Sequence, residues 1–125
     1  MSRARPSTPP GRSVLPWGAA RVVGASMAPT LHAGDRVLVR HGAPPRPGAI
    51  VVARFPDGAL VVKRAVEART TRDGRTGWWL LSDDPAVGVD SRHRGVVAAD
   101  DVLGVVRGRL WPRPTLRLGP GPARA

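Results

Sequence analysis

Residues 49–68 read AIVVARFPDGALVVKRAVEA. Two apolar, valine-rich runs flank Pro56-Asp57-Gly58. Proline presets a turn dihedral and glycine supplies the freedom to close it, so this stretch is a β-hairpin. β-branched residues favour the pleated backbone. Side chains alternate along a strand, which places Val61, Lys63 and Ala65 on one face of the second run, residues 59–68. The same character continues outward. Arg36-Val37-Leu38-Val39-Arg40 alternates polar with apolar, and Pro44-Pro45-Arg46-Pro47-Gly48 separates it from the strand at 49–54. Downstream, Asp73-Gly74 marks a second hairpin loop before Trp78-Trp79-Leu80-Leu81. An irregular stretch, residues 82–95, precedes Val96-Val97 and a last strand at 102–110. Helical spacing is confined to a short turn before Ser26. The expected fold class is mainly β, a compact antiparallel domain.

The chain has 125 residues with 20 basic and 9 acidic side chains, a net charge of +11. Nineteen of the basic residues are arginine, and Lys63 is the single lysine. Such a bias discounts the charge as a sign of nucleic-acid binding and draws attention to the exception. Arginine keeps its proton in proteins, whereas lysine can lose it.

Residues 1–16 and 112–125 are rich in proline, glycine and arginine, and are expected to be flexible tails around a domain at 17–111. The longest stretch without charge, residues 22–34, falls short of the roughly 20 residues of a membrane span. No apolar segment of a secretory signal occurs at the start, so the cytoplasm is the expected compartment. Cysteine is absent, which excludes disulfides, thiolate nucleophiles and cysteine-ligated metal. His32, His41 and His93 lack metal-ligand spacing, so neither a metal nor another cofactor is expected. They also fall in no hydrolase motif, although His32, six residues beyond Ser26, is placed near any cleft there.

Three segments can carry chemistry. In Gly24-Ala25-Ser26-Met27-Ala28-Pro29-Thr30-Leu31, followed by Gly34-Asp35, small residues let the backbone turn sharply and leave the Ser26 hydroxyl accessible. Taken alone, an ordinary turn would look the same. Lys63, held against an apolar strand face, would lose hydration and with it part of its affinity for a proton, and could then act as a general base. The alternative is a strand lysine whose ammonium snorkels to water. Ser82-Asp83-Asp84-Pro85 and Asp90-Ser91-Arg92 offer carboxylates and an arginine that could brace a neighbouring loop, or form a solvated acidic loop.

In this order the three segments resemble the type I signal peptidase family of Ser–Lys proteases. Residues 26–31 match its SMxPTL box, Gly34-Asp35 the following pair, Lys63-Arg64 its lysine strand, and residues 82–92 its GDN and DSR boxes. Within that family the chain looks like the short nickel-type superoxide dismutase maturation proteases. Residues 60–64, Trp78-Trp79, residues 83–85 and residues 109–112 carry that likeness. The resemblance implies a β domain of the signal-peptidase and self-cleaving-repressor type. It also implies a Ser26 nucleophile, a Lys63 base and an oxyanion donor at the Ser26 backbone, with Gly24 where some relatives carry a second donor. Met27, Pro29, Asp35, Asp90 and Arg92 would support the site. The implied partner is a propeptide-bearing precursor, cut at its N-terminal propeptide after binding as an added strand. The family also has a hydroxyl two residues before the Asp of DSR, where this chain has Gly88. Ser82 and Asp84 replace the glycine and asparagine of GDN.

Two other readings compete. Self-cleaving repressors share the dyad and a related fold, but 25 residues before Ser26 leave little room for a DNA-binding domain. A basic binding module with a weak or inactive dyad is the non-enzymatic alternative. Its ligand would be a nucleic acid held through its phosphates regardless of sequence, or an anionic membrane met by Trp17, Trp111 and the arginine-rich ends; a specific nucleic acid is not expected.

Overall fold

A computed structural model describes residues 16–121. The expected N-terminal tail lies outside the described residues except for Pro16, as do residues 122–125. Seven strands form one sheet: β1 (Trp17–Arg21), β2 (Arg36–His41), β3 (Ala49–Arg54), β4 (Leu60–Thr70), β5 (Thr76–Leu81), β6 (Val97–Ala98) and β7 (Val102–Trp111). Their spatial order is β1-β2-β7-β3-β4-β5-β6, and every neighbouring pair is antiparallel. The chain is therefore mainly β and antiparallel.

β3 occupies the middle of this order, which explains why it is apolar on both faces rather than alternating. Ile50 and Val52 join Val37, Val39, Met27 and Leu31 in one core. Val51 and Ala53 join Phe55, Leu80, Val97 and Val105 in a second. Each fully buried side chain of this size contributes about 1.5–3 kcal/mol. β4 pairs with β3 through Val51 opposite Lys63, so the lysine stands among the residues of the second core.

The hairpins at residues 56–58 and 71–75 form where the turn residues set them, with Phe55 N–H bonded to Ala59 O and Thr71 N–H to Arg75 O. Three features differ from expectation. β1 is an additional strand, small and weakly β-forming in composition, that exists because it pairs with the outer edge of β2. The irregular 82–95 stretch contains a four-residue helix, α1 (Ser91–Arg94), capped by the Asp90 carboxylate. The helical turn near Ser26 follows the serine instead of preceding it, with Leu31 N–H bonded to Met27 O.

Residues 112–121, read above as part of a tail, make contacts with β7, the first core and Arg64. β3 leaves β7 beyond Val105, and Arg109 and Thr115 then exchange both backbone hydrogen bonds, at 2.8 and 2.9 Å. Leu118 packs against the first core, and Gly119 O accepts a bond from Arg64. The segment thus satisfies backbone groups of β7 that β3 no longer reaches.

Candidate active site

The loop from Val22 to Asp35 carries Ser26 and is closed at its base. Val22 N–H donates to Asp35 O, and Gly34 N–H to Val22 O, both at 2.8 Å. The Asp35 carboxylate accepts from His32 N–H at 2.9 Å and is buried. Met27 and Leu31, both essentially without solvent contact, fasten the turn to the core. Pro29 sits exposed on the outer side of the turn, and Gly24 has φ of +82°. Fixed this way, Ser26 keeps a partly exposed side chain at the end of a rigid turn. Its backbone N–H, like that of Gly24, has no acceptor among the described residues.

Lys63 reaches the same point from β4. Its Nζ lies 2.8 Å from Ser26 Oγ and 3.1 Å from Ser82 Oγ. Burial of the lysine side chain pushes its pKa below the ordinary 10.5; the nearby Asp90 carboxylate partly opposes this and Arg92 adds to it. A hydroxyl within hydrogen-bond reach of an amine that releases its proton early is an activated nucleophile.

Residues 82–84 hold the two halves together. Asp83 is buried and accepts two bonds from Arg64, at 3.1 and 2.7 Å, and one from Thr30 Oγ1 at 2.6 Å. Arg64 also donates to Gly48 O and Gly119 O. Asp84 N–H donates to Ser26 O at 2.8 Å. Behind them, Asp90 accepts from Ser82 N–H at 2.9 Å and from the Arg92 guanidinium at 3.0 and 3.1 Å. Burial alone would raise the Asp90 carboxyl, but these hydrogen bonds hold it below the carboxylate range. Ser91 Oγ accepts from Leu80 N–H, tying α1 to β5.

An open cleft of about 330 Å³ lies over the dyad, with Val23, Ala25, Phe55, Val61 and Val87 among its walls. Arg94 and Asp57 pair at 3.1 Å on its rim. His32 is exposed and is not among the cleft residues, which corrects its expected position. Among the described residues no three His, Cys, Asp or Glu side chains gather as a metal would need. Trp17 and Trp111 are exposed, with the guanidinium groups of Arg40 and Arg36 over their rings. No helix among the described residues is long and apolar enough to cross a membrane.

Ser26, Lys63, Asp90 and Arg92 therefore share one site, while Met27, Pro29 and Asp35 belong to the turn beneath it. The sequence marked Ser82 and Asp83 as part of a segment able to brace a neighbouring loop, but not that Ser82 meets Lys63 or that Asp83 joins Arg64 to Thr30. One signal pointed to Ser82: it follows Leu80 by two residues and so continues the inward face of β5.

A family model described as Peptidase S24-like matches residues 15–104, more than two thirds of the 125-residue chain. The matched span includes Ser26, Lys63, residues 82–84 and α1. A search of curated proteins found no match.

Proposed function

The chain belongs to the Peptidase S24-like family, and on that premise we propose that it is a serine endopeptidase working through Ser26 and Lys63. The observation that carries this reading is the 2.8 Å approach of Ser26 Oγ to the buried Lys63 amine. Ser26 Oγ attacks the scissile carbonyl while neutral Lys63 takes its proton. The negative charge that develops on the carbonyl oxygen is met by the Ser26 N–H, which has no other described acceptor. Lys63 then gives its proton to the leaving amine. The resulting acyl-enzyme is hydrolysed by a water that Lys63 deprotonates in turn.

Val23 and Gly24 make no backbone hydrogen bond to another described residue and line the cleft. An extended substrate can pair with them as an added strand. The alanine and valine walls suit small apolar side chains beside the cut bond. The substrate we propose is the N-terminal propeptide of a nickel-type superoxide dismutase precursor. Its support is the likeness of residues 60–64, Trp78-Trp79, residues 83–85 and residues 109–112 to the maturation proteases. A signal-peptidase-like protease with another substrate is the coarser form of the same reading.

Mass spectrometry of such a precursor, incubated with wild type, Ser26→Ala and Lys63→Ala, tests both parts. A single N-terminal cut by wild type is expected, with either substitution lowering the rate by at least about 10³-fold. A cut that persists in Ser26→Ala would sink the dyad. Cleavage of other extended peptides but not of this precursor would remove only the substrate.

A further inference from the structure

We propose that Ser82 positions Lys63 as the base, supplying a hydroxyl that position 88 has no room to carry. The proposal rests on the Ser26–Lys63 reading above. A neutral amine has one lone pair and two N–H groups, and rotation about Cε–Nζ exchanges what it turns toward Ser26. Only the rotamer with its lone pair on the Ser26 hydroxyl can accept the proton. A fixed acceptor for one N–H selects among these rotamers, and Ser82 Oγ stands 3.1 Å from Nζ.

Ser82 is itself firmly held. It is 1% exposed, and its backbone N–H donates to Asp90, a carboxylate with no solvent contact. Its neighbour Asp83 is bound by Arg64 and Thr30, and Asp84 N–H holds the Ser26 carbonyl. One three-residue segment therefore fixes the nucleophile at one end and the base at the other. Continuing the β4–β5 register by one residue past Arg64 opposite Leu81 also sets Ser82 across from Lys63.

Position 88 is closed to a side chain. Gly88 has φ of +80°, which L residues rarely adopt. A Cβ there would meet Ser26 Cβ at 2.9 Å and Lys63 Nζ at 3.3 Å, crowding the reacting atoms themselves. The serine in place of the GDN glycine and the glycine in place of the family hydroxyl are thus a single exchange of positions.

Lys63 is the only lysine, so protein labelled with ¹³C,¹⁵N-lysine gives one side-chain signal whose pH titration reads this group alone. A hydroxyl oxygen accepts a stronger bond from an ammonium than from an amine. Ser82→Ala is therefore expected to move the Lys63 midpoint to lower pH. It should also reduce kcat about 10- to 100-fold with KM within about twofold, less than the about 10²–10⁴-fold a general base supplies because Lys63 is misoriented rather than removed. Ser82→Thr, which keeps the hydroxyl, should restore most of both, with folding of each variant checked by thermal melting. An unmoved midpoint in Ser82→Ala overturns the proposal even if cleavage slows, since the loss then reflects packing. Equal changes in Ser82→Ala and Ser82→Thr overturn it too. Failure of the underlying dyad would look different, because cleavage would survive in Lys63→Ala.

Discussion

Lys63 illustrates how one side chain can be costly to the fold and necessary to the site. Its stem lies among Val51, Val61 and Ala65, and its amine meets two hydroxyls rather than a carboxylate. The folded pKa is lowered by burial, so between that value and the unfolded value near 10.5 the unfolded chain holds a proton that the folded chain has released. Stability must rise with pH across this window, and the contribution is lost as pH falls through the folded pKa. Denaturant melts of wild type and Lys63→Met at a series of alkaline pH values check this. Wild type should gain stability relative to the variant up to about pH 10.5 and run parallel to it beyond. Parallel curves throughout would show an amine with ordinary titration. An arginine at 63 would carry the burial cost without the chemistry, because it keeps its proton. That much was legible from a lone lysine in an arginine-rich chain. The two hydroxyls that face it were legible only in part: the motif marked Ser26, while Ser82 looked like a departure from it.

At the scale of elements, the site depends on a loop more than on strands. Residues 82–84 bond to the Ser26 turn, to β4 and to the cap of α1. The Arg64–Asp83 pair is buried on both sides, with 3% and 2% exposure. Removing one partner of such a pair leaves an uncompensated charge and costs about 3–5 kcal/mol. Asp83→Ala should therefore lower unfolding free energy by about that amount in urea melts, and adding Arg64→Met should recover part of it. A loss under about 1 kcal/mol would mean that the Gly48 and Gly119 carbonyls suffice for the guanidinium. Valine runs and turn residues marked β2, β3, β4, β5 and β7 in the sequence, because those signals are local. β1 and α1 lacked them. β1 owes its existence to the free edge of β2, and α1 to the Asp90 cap, which also holds Ser82 N–H, and to the Ser91 hydroxyl, which accepts from Leu80 N–H of β5.

For the whole molecule, the order β1-β2-β7-β3-β4-β5-β6 brings the first and last strands into the same sheet as the central hairpin. β7 enters between β2 and β3, and residues 112–121 then run back along it to Arg64. Ending the chain at Trp111 would remove Leu118 from the first core and one acceptor from the guanidinium that holds Asp83. Thermal and urea melts should show lower stability, by no more than about 3 kcal/mol, the upper bound that burial of one leucine sets. Unchanged stability would mean that the segment adds nothing to the fold. Proline, glycine and arginine made this stretch look like a tail, since composition cannot register a backbone partner supplied by a distant strand.

The amino-acid sequence by itself determined the β class, the central hairpin, the Ser26 turn and the lysine strand. Each is written in residues close together: alternation, turn chemistry, or a short box. The contact between Lys63 and Ser82 was decided elsewhere. From Thr70 opposite Thr76 to Glu67 opposite Trp79 the β4–β5 hairpin keeps one register, and a bulge at Val66 shifts it by one residue, so that Ala65 faces Leu80. Without that bulge the same counting would set Ser82 across from Arg64. Because side chains alternate with a period of two, a shift of one residue changes which basic side chain shares a face with the hydroxyl. Only packing on both faces of the sheet fixes such a shift, and it decides whether Ser82 faces a permanent cation or an amine able to take a proton.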